Sequence, residues 1–274
     1  MKRGIVRNMI GLAALLSVLA GCQESAMEPG RLVVNLTDAP FPIEQIQKAG
    51  VTITKVEIRS KNTQDGNPYL TIFSDSAEFD MMELRNGIRA QLANLEVPAG
   101  TYDEIRLHVT NTELQLVDGT TYSVKVPSGF QSGLKIKLDP EVRLAPGGLS
   151  VILLDFNLEK SFILKGTLNQ PDGITGFNFS PVIRAVDEIA TGQLEGWVKN
   201  SDSLSLADAN VWIEKDSVVA NAFTEEDGYF ALPGIPAGYY TLCATKTGYD
   251  TVRVEEFRLQ EGIRLLQTFY LTLQ

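Results

Sequence analysis

Val51-Thr52-Ile53-Thr54-Lys55-Val56-Glu57-Ile58 alternates apolar and polar residues, as a half-buried β-strand requires. The same period runs outward from it. Leu32-Val33-Val34-Asn35-Leu36 precedes it, and Tyr69 to Phe73 returns after the turn formers of Asn62 to Pro68. In Ile105-Arg106-Leu107-His108-Val109 the parity turns Ile105, Leu107 and Val109 inward and His108 outward. Leu114 to Val117 and Tyr122 to Val126 flank Asp118-Gly119, a hairpin signal. Leu134 to Leu138 and Ile152 to Leu158 alternate again, and Ser161 to Leu164 and Val182 to Val186 read as closing strands. Between Phe79 and Leu95 the apolar spacing is mixed and Gly87 interrupts it, which predicts short turns or one helical turn capping a sheet. Many short strands and no sustained helical stripe make the chain all-β, with two β-sandwich domains.

The second sandwich is read from Thr191 onward, after a short seam at Asp187 to Thr191. Leu194, Gly196 and Val198 alternate, as do Ala209, Val211 and Ile213, and Thr224 to Phe230 reads as a hairpin tip. Pro98-Ala99-Gly100-Thr101-Tyr102 and Pro236-Ala237-Gly238-Tyr239-Tyr240 place one Pro-Ala-Gly-x-Tyr device in each domain. Proline presets a turn position and glycine two residues later suits positive φ, so both are expected to be type II turns launching a strand.

The chain opens with Lys2, Arg3 and Arg7, an apolar run from Met9 to Leu19, and Leu19-Ala20-Gly21-Cys22. A basic start, an apolar stretch and small residues before a cleavage point form an export signal. The final four residues resemble the lipobox of bacterial lipoproteins, in which the cysteine is acylated and the chain is cut before it. The expected organisation is a signal peptide at 1–21, a lipidated tether at 22–30, a β-sandwich at 31–187 and a second one at 191–274. The apolar run falls short of the ~20 residues of a spanning helix. Acyl chains such as palmitate on Cys22 are therefore the expected attachment. Gln23 is not the aspartate associated with inner-membrane retention, which favours the outer membrane, on a face the sequence leaves open.

The formal net charge is -10, and removal of the basic signal makes the remainder more acidic still. An acidic body repels phosphate backbones, which argues against nucleic-acid partners. With Cys22 acylated, Cys243 has no partner for a disulfide, and one histidine, His108, cannot build an ordinary His/Cys zinc site. No metal or cofactor is expected.

A serine hydrolase would have to use His108 with Ser128 or Ser132, yet no Gly-x-Ser-x-Gly elbow surrounds either serine. No catalytic residue is assigned. Asp38, Asp155 and Asn157 offer the oxygen ligands calcium takes, without the dense spacing of a binding loop; they are expected to be solvated or turn-capping, as are Glu225, Glu226 and Asp227. Trp197 and Trp212 have the parity opposite to the inward residues, so both indoles should face out. An exposed indole suits a sugar ring or a partner's apolar patch. They are the candidate ligand platform, with a glycan or an envelope protein as partner; whether they share a face depends on strand order.

Leu36-Thr37-Asp38-Ala39-Pro40, Leu84-Arg85-Asn86-Gly87, Pro98 to Tyr102, Pro127-Ser128-Gly129, Leu154-Asp155-Phe156-Asn157 and Pro181-Val182-Ile183-Arg184 resemble the Bacteroidota-type lipoproteins built on domain of unknown function 4382. Gly196-Trp197-Val198, Thr224 to Phe230, Leu232 to Tyr240 and Gly248-Tyr249 resemble a carboxypeptidase-regulatory-like domain. That resemblance implies a prealbumin-like, seven-stranded sandwich without catalytic residues, related to carbohydrate-binding modules. Together they imply a non-catalytic, lipid-anchored envelope protein with a binding or assembly surface. A carbohydrate-binding accessory protein is the alternative, and an envelope hydrolase a more distant one.

Overall fold

The computed structural model describes residues 28–39, 46–63, 66–127, 132–167 and 173–274, so Cys22 and Ser128 lie outside the described residues. Among the described residues, twelve strands build the first domain: β1 (Gly30–Ala39), β2 (Ile46–Ser60), β3 (Tyr69–Phe73), β4 (Ala77–Asp80), β5 (Ala90–Val97), β6 (Gly100–Leu116), β7 (Thr121–Val124), β8 (Leu134–Leu144), β9 (Leu149–Asn157), β10 (Phe162–Gly166), β11 (Ile174–Phe179) and β12 (Ile183–Asp187). One sheet runs β3-β2-β6-β8, with β4 on β2 and β7 on β6. The other runs β12-β9-β1-β5, and the two join where Ala185 pairs with Leu138. β10 and β11 form a separate ribbon.

The alternation explains the packing between the sheets. Leu32, Val34, Leu36, Ile53, Ile58, Ile105, Leu107, Leu154 and Phe156 have no exposed surface and share one core. Each such side chain contributes roughly 1.5–3 kcal/mol by leaving water. His108 lies on the outer face, as its parity requires.

Seven strands build the second domain: β13 (Thr191–Asn200), β14 (Asn210–Glu214), β15 (Val218–Phe223), β16 (Tyr229–Pro236), β17 (Gly238–Thr245), β18 (Val252–Leu259) and β19 (Arg264–Leu271). They form sheets β16-β13-β19 and β15-β14-β17-β18 around Leu194, Val198, Val211, Ile213, Phe230, Leu242 and Phe269. The chain is all-β. Gly196 is buried at a close crossing of backbones, where a Cβ would lie 1.7 Å from the Gln267 carbonyl oxygen.

Three local expectations need correction. Met81–Leu84 does form a 3-10 turn, but Ala90 to Val97 is a full edge strand, because its antiparallel ladder with β1 and the burial of Leu92, Ala93 and Val97 outweigh its irregular pattern. Thr224 to Phe230 is not a hairpin tip: β15 and β16 belong to different sheets, and the turn carries the chain across the sandwich. Alternation marks a strand, and does not say which neighbour it pairs with. Lastly, neither Gly100 nor Gly238 has the positive φ of a type II turn. Glycine serves close approach instead, since a Cβ on Gly100 would lie 2.8 Å from Asn62 Oδ1, and one on Gly238 3.3 Å from the Tyr240 ring.

Candidate functional site

The end of the first sandwich nearest the second is built from the motifs singled out in the sequence. Arg184, on β12, donates to Asp155 Oδ2 at 2.7 and 3.2 Å and reaches across the seam to the carbonyls of Gly234 (2.5 Å) and Pro233 (3.2 Å). The guanidinium suits this position because its planar fork carries five donors. Asn86 adopts the left-handed conformation, φ 50°, that its short side chain tolerates. Its Nδ2 donates to the Phe223 carbonyl (3.1 Å) and to Glu225 (2.6 Å), while its Oδ1 accepts from the Ala231 amide (3.4 Å). Asn86 thus occupies the edge groups where β15 and β16 diverge. Thr37 Oγ1 lies 3.0 and 2.9 Å from the Leu84 and Ile88 carbonyls and holds that loop in place.

Of the groups expected to be solvated or turn-capping, Glu226 is exposed and Asp227 caps its turn by accepting from the Tyr229 amide at 2.9 Å, while others are engaged in the fold. Glu225 serves the junction, and Asn157 caps the turn after β9 by accepting from the Lys160 amide at 2.9 Å. Asp155 pairs with Arg184. Asp38 is neither in a turn nor solvated: it lies within β1, 4% exposed, and neither carboxyl oxygen has a hydrogen-bond partner among the described residues. Burial, then the nearby Asp155, push its pKa well above the usual carboxylate range. The seam itself is pinned. Ser150 Oγ donates to Asp187 at 2.6 Å, Arg89 pairs with Glu188 at 2.6 Å, and Thr191 Oγ1 donates to the Glu188 carbonyl at 3.0 Å.

That contact covers the outer side of β16, where Ala231 is buried, and leaves the outer face of β13 and β19 open around Trp197. Trp197 is 36% exposed there. Register sets it across from Thr268 on β19 and from Tyr229 on β16, whose ring centroid is 5.7 Å away in an edge contact. Leu266 and Tyr270, at 66% and 54% exposure, lie diagonally on β19. Beside Trp197, the buried Glu195 accepts from Gln193 and from the Tyr229 hydroxyl (both 3.1 Å) and from Arg264. A cavity of about 150 Å³ lined by Glu188, Gln193, Gly234 and Arg264 continues this row to the seam.

Trp212 lies on the outer face of the other sheet, so the two indoles do not meet. It is half-buried, its Nε1 donates to Glu214 at 2.7 Å, and in register it adjoins Cys243, a fully buried free thiol. His108 Nε2 lies 3.0 Å from Glu57, a buried carboxylate that also pairs with Lys55 at 2.6 Å, while Ser132 is exposed. Among the described residues no three His, Cys, Asp or Glu side chains converge as metal ligands, and no helix is long and apolar enough to cross a membrane. Sequence spacing missed Leu266, Tyr270 and Tyr229 as neighbours of Trp197. The run Arg264-Leu265-Leu266 blurs the parity of β19, and parallel pairing to β13 leaves no local signal.

Residues 29–181 match the family model described as domain of unknown function (DUF4382). The chain belongs to that family. Residues 193–272 of this DUF4382 protein match the carboxypeptidase regulatory-like domain. Among curated proteins, none matches the chain. Solved structures with some likeness include the major pilin subunit BcpA of Bacillus cereus, 11% identical, with 90% of this chain and 71% of that chain covered at a TM-score of 0.29. The minor pilin GBS52 of Streptococcus agalactiae is 12% identical over 88% of this chain and 96% of its own, at a TM-score of 0.25. The Bacillus anthracis TIE protein is 14% identical at a TM-score of 0.26, and the chain spans about a third of it, 34%, while 90% of this chain is covered.

Proposed function

We propose that this chain is a non-catalytic lipoprotein of the cell envelope, attached to the outer membrane through acyl chains on Cys22, whose second sandwich presents a binding surface. One observation carries the reading. Arg184 and Asn86 fix one edge of the second domain on the first, while the row around Trp197 is left uncovered. A rigid mount with an open aromatic face suits presentation. The engagement of His108 by Glu57, itself bound to Lys55, supports a structural role for the histidine.

The export signal and the Leu19-Ala20-Gly21-Cys22 stretch supply the anchoring part. Several acyl chains, at roughly 0.8 kcal/mol per buried CH₂, would hold the chain permanently. Metabolic labelling with an alkynyl palmitate analogue tests it: the natural chain should incorporate label into the outer-membrane fraction and Cys22→Ser should not. Label retained in Cys22→Ser overturns the anchor, and protease treatment of intact cells assigns the membrane face.

A further inference from the structure

The outer face of β16-β13-β19 alternates rings and hydrogen-bonding groups along two adjacent strands. On β13 the outward residues are Gln193, Glu195, Trp197 and Lys199, and on β19 they are Arg264, Leu266, Thr268 and Tyr270. Six residues of β13 at about 3.3 Å each give this row a length of roughly 20 Å, ending at the cavity beside the seam. Trp197 lies at its middle with Tyr229 against its edge and Thr268 opposite.

We propose that this row is a saccharide-binding track, in which a pyranose ring lies over the indole of Trp197, flanked by Tyr270 and Leu266, with hydroxyls on Lys199, Thr268 and Arg264. The proposal rests on the reading of this chain as a binding protein and names the ligand class of that surface. The chemistry selects a glycan over a protein face. A protein interface core is depleted in charge and contiguous in apolar area, whereas here every exposed ring or leucine has a charged or hydroxyl neighbour across the ladder: Leu266 faces Glu195, Trp197 faces Thr268 and Tyr270 faces Lys199. A pyranose carries the same mixture, an apolar C–H face rimmed by hydroxyls. A second copy of the chain fits poorly, because bodies of net charge -10 repel one another. Glu195 is the fixed centre of the track: its bonds from Gln193, Tyr229 and Arg264 preset those side chains, so little ordering is left to be done on binding. Lys199 forms no ion pair among the described residues, so its ammonium is available to donate to a sugar hydroxyl.

The test is isothermal titration calorimetry of the full-length protein in detergent with cellohexaose, laminarihexaose, maltohexaose and hexagalacturonate. At least one should give a saturable change. Trp197→Ala should weaken it by about two- to tenfold, the loss expected when a stacked ring is removed, and Tyr270→Ala, at an exposed position, should weaken it several-fold with an unchanged melting temperature. Trp212→Phe, on the opposite sheet, should bind as the natural chain does, and serves as the control for loss of an indole away from the track. Failure of all four probes, or binding that survives both Trp197→Ala and Tyr270→Ala, overturns the saccharide track. The labelling and protease experiments on Cys22 test the envelope reading separately, so its failure is told apart from this one.

Discussion

The hydroxyl of Tyr102 donates to the carbonyl of Pro98, four residues back, at 2.6 Å, and Tyr240 repeats the bond to Pro236 at 2.7 Å in the other sandwich. Tyr102 is 1% exposed and Tyr240 7%. Each ring fills its core while its hydroxyl closes the corner between two strands, and glycine in between lets the chain pass close. This is the tyrosine corner of β-sandwich proteins in a four-residue form.

Tyr102→Phe and Tyr240→Phe should therefore each destabilise their domain by about 1–2 kcal/mol, since the ring stays but a carbonyl loses its donor in a buried corner. Urea unfolding of the two variants measures this; a change below ~0.3 kcal/mol in both would mean water replaces the hydroxyl at no cost.

Adjacent positions on β6 should behave oppositely. Leu107→Ala removes a fully buried side chain and should cost about 2–5 kcal/mol. His108→Ala leaves Glu57 paired with Lys55 at 2.6 Å and should cost no more than ~1 kcal/mol. Equal shifts in melting temperature would contradict the strand parity.

Arg184→Ala strips two carbonyls and Asp155 of their donor at the seam. Loss of its two charge-assisted bonds to the Gly234 and Pro233 carbonyls should cost about 3 kcal/mol of interdomain coupling. Calorimetry should then show two separate unfolding transitions, and solution scattering a wider distribution of domain orientations. A variant that still unfolds in one step would show that the Asn86 and Arg85 contacts suffice.

Two buried carboxyls should give pH dependences of opposite sign. Burial and Asp155 raise the pKa of Asp38, so the folded state binds more protons there than the unfolded one. Its stability is fully present below the unfolded value and falls as pH rises toward the folded one. Asp38→Asn should accordingly raise the melting temperature at pH 8 more than at pH 5. For Glu57, burial raises the pKa, but hydrogen bonds from Lys55 and His108 outweigh it and leave the carboxyl below the usual range. Its contribution is present above the ordinary glutamate pKa of about 4.3 and is lost as pH falls through the folded value. Glu57→Gln should flatten the acid limb of the stability curve and leave the alkaline limb alone.

By itself the sequence determined the strand faces of both sandwiches. Period-two alternation puts Ile105, Leu107 and Val109 inside, and Leu194 and Val198 likewise, because a strand's side chains have only two directions to take. It also showed Pro98 to Tyr102 and Pro236 to Tyr240 to be one repeated device, while assigning Gly100 and Gly238 the wrong role and leaving the tyrosine hydroxyls without one. A sequence shows that glycine is there, and only the fold shows whether φ or space demanded it. Pairing was decided by the tertiary structure. β15 and β16 are adjacent in sequence yet belong to different sheets, and β13 lies beside β19, about seventy positions away, through parallel bonds that need no local turn. That pairing sets Leu266 and Tyr270 beside Trp197 and sends Trp212 to the opposite face. The same holds at the seam. Arg184, Asp155, Asn86 and Gly234 come from four separate stretches, and their hydrogen bonds exist only once both sandwiches have closed and bring those stretches to one edge.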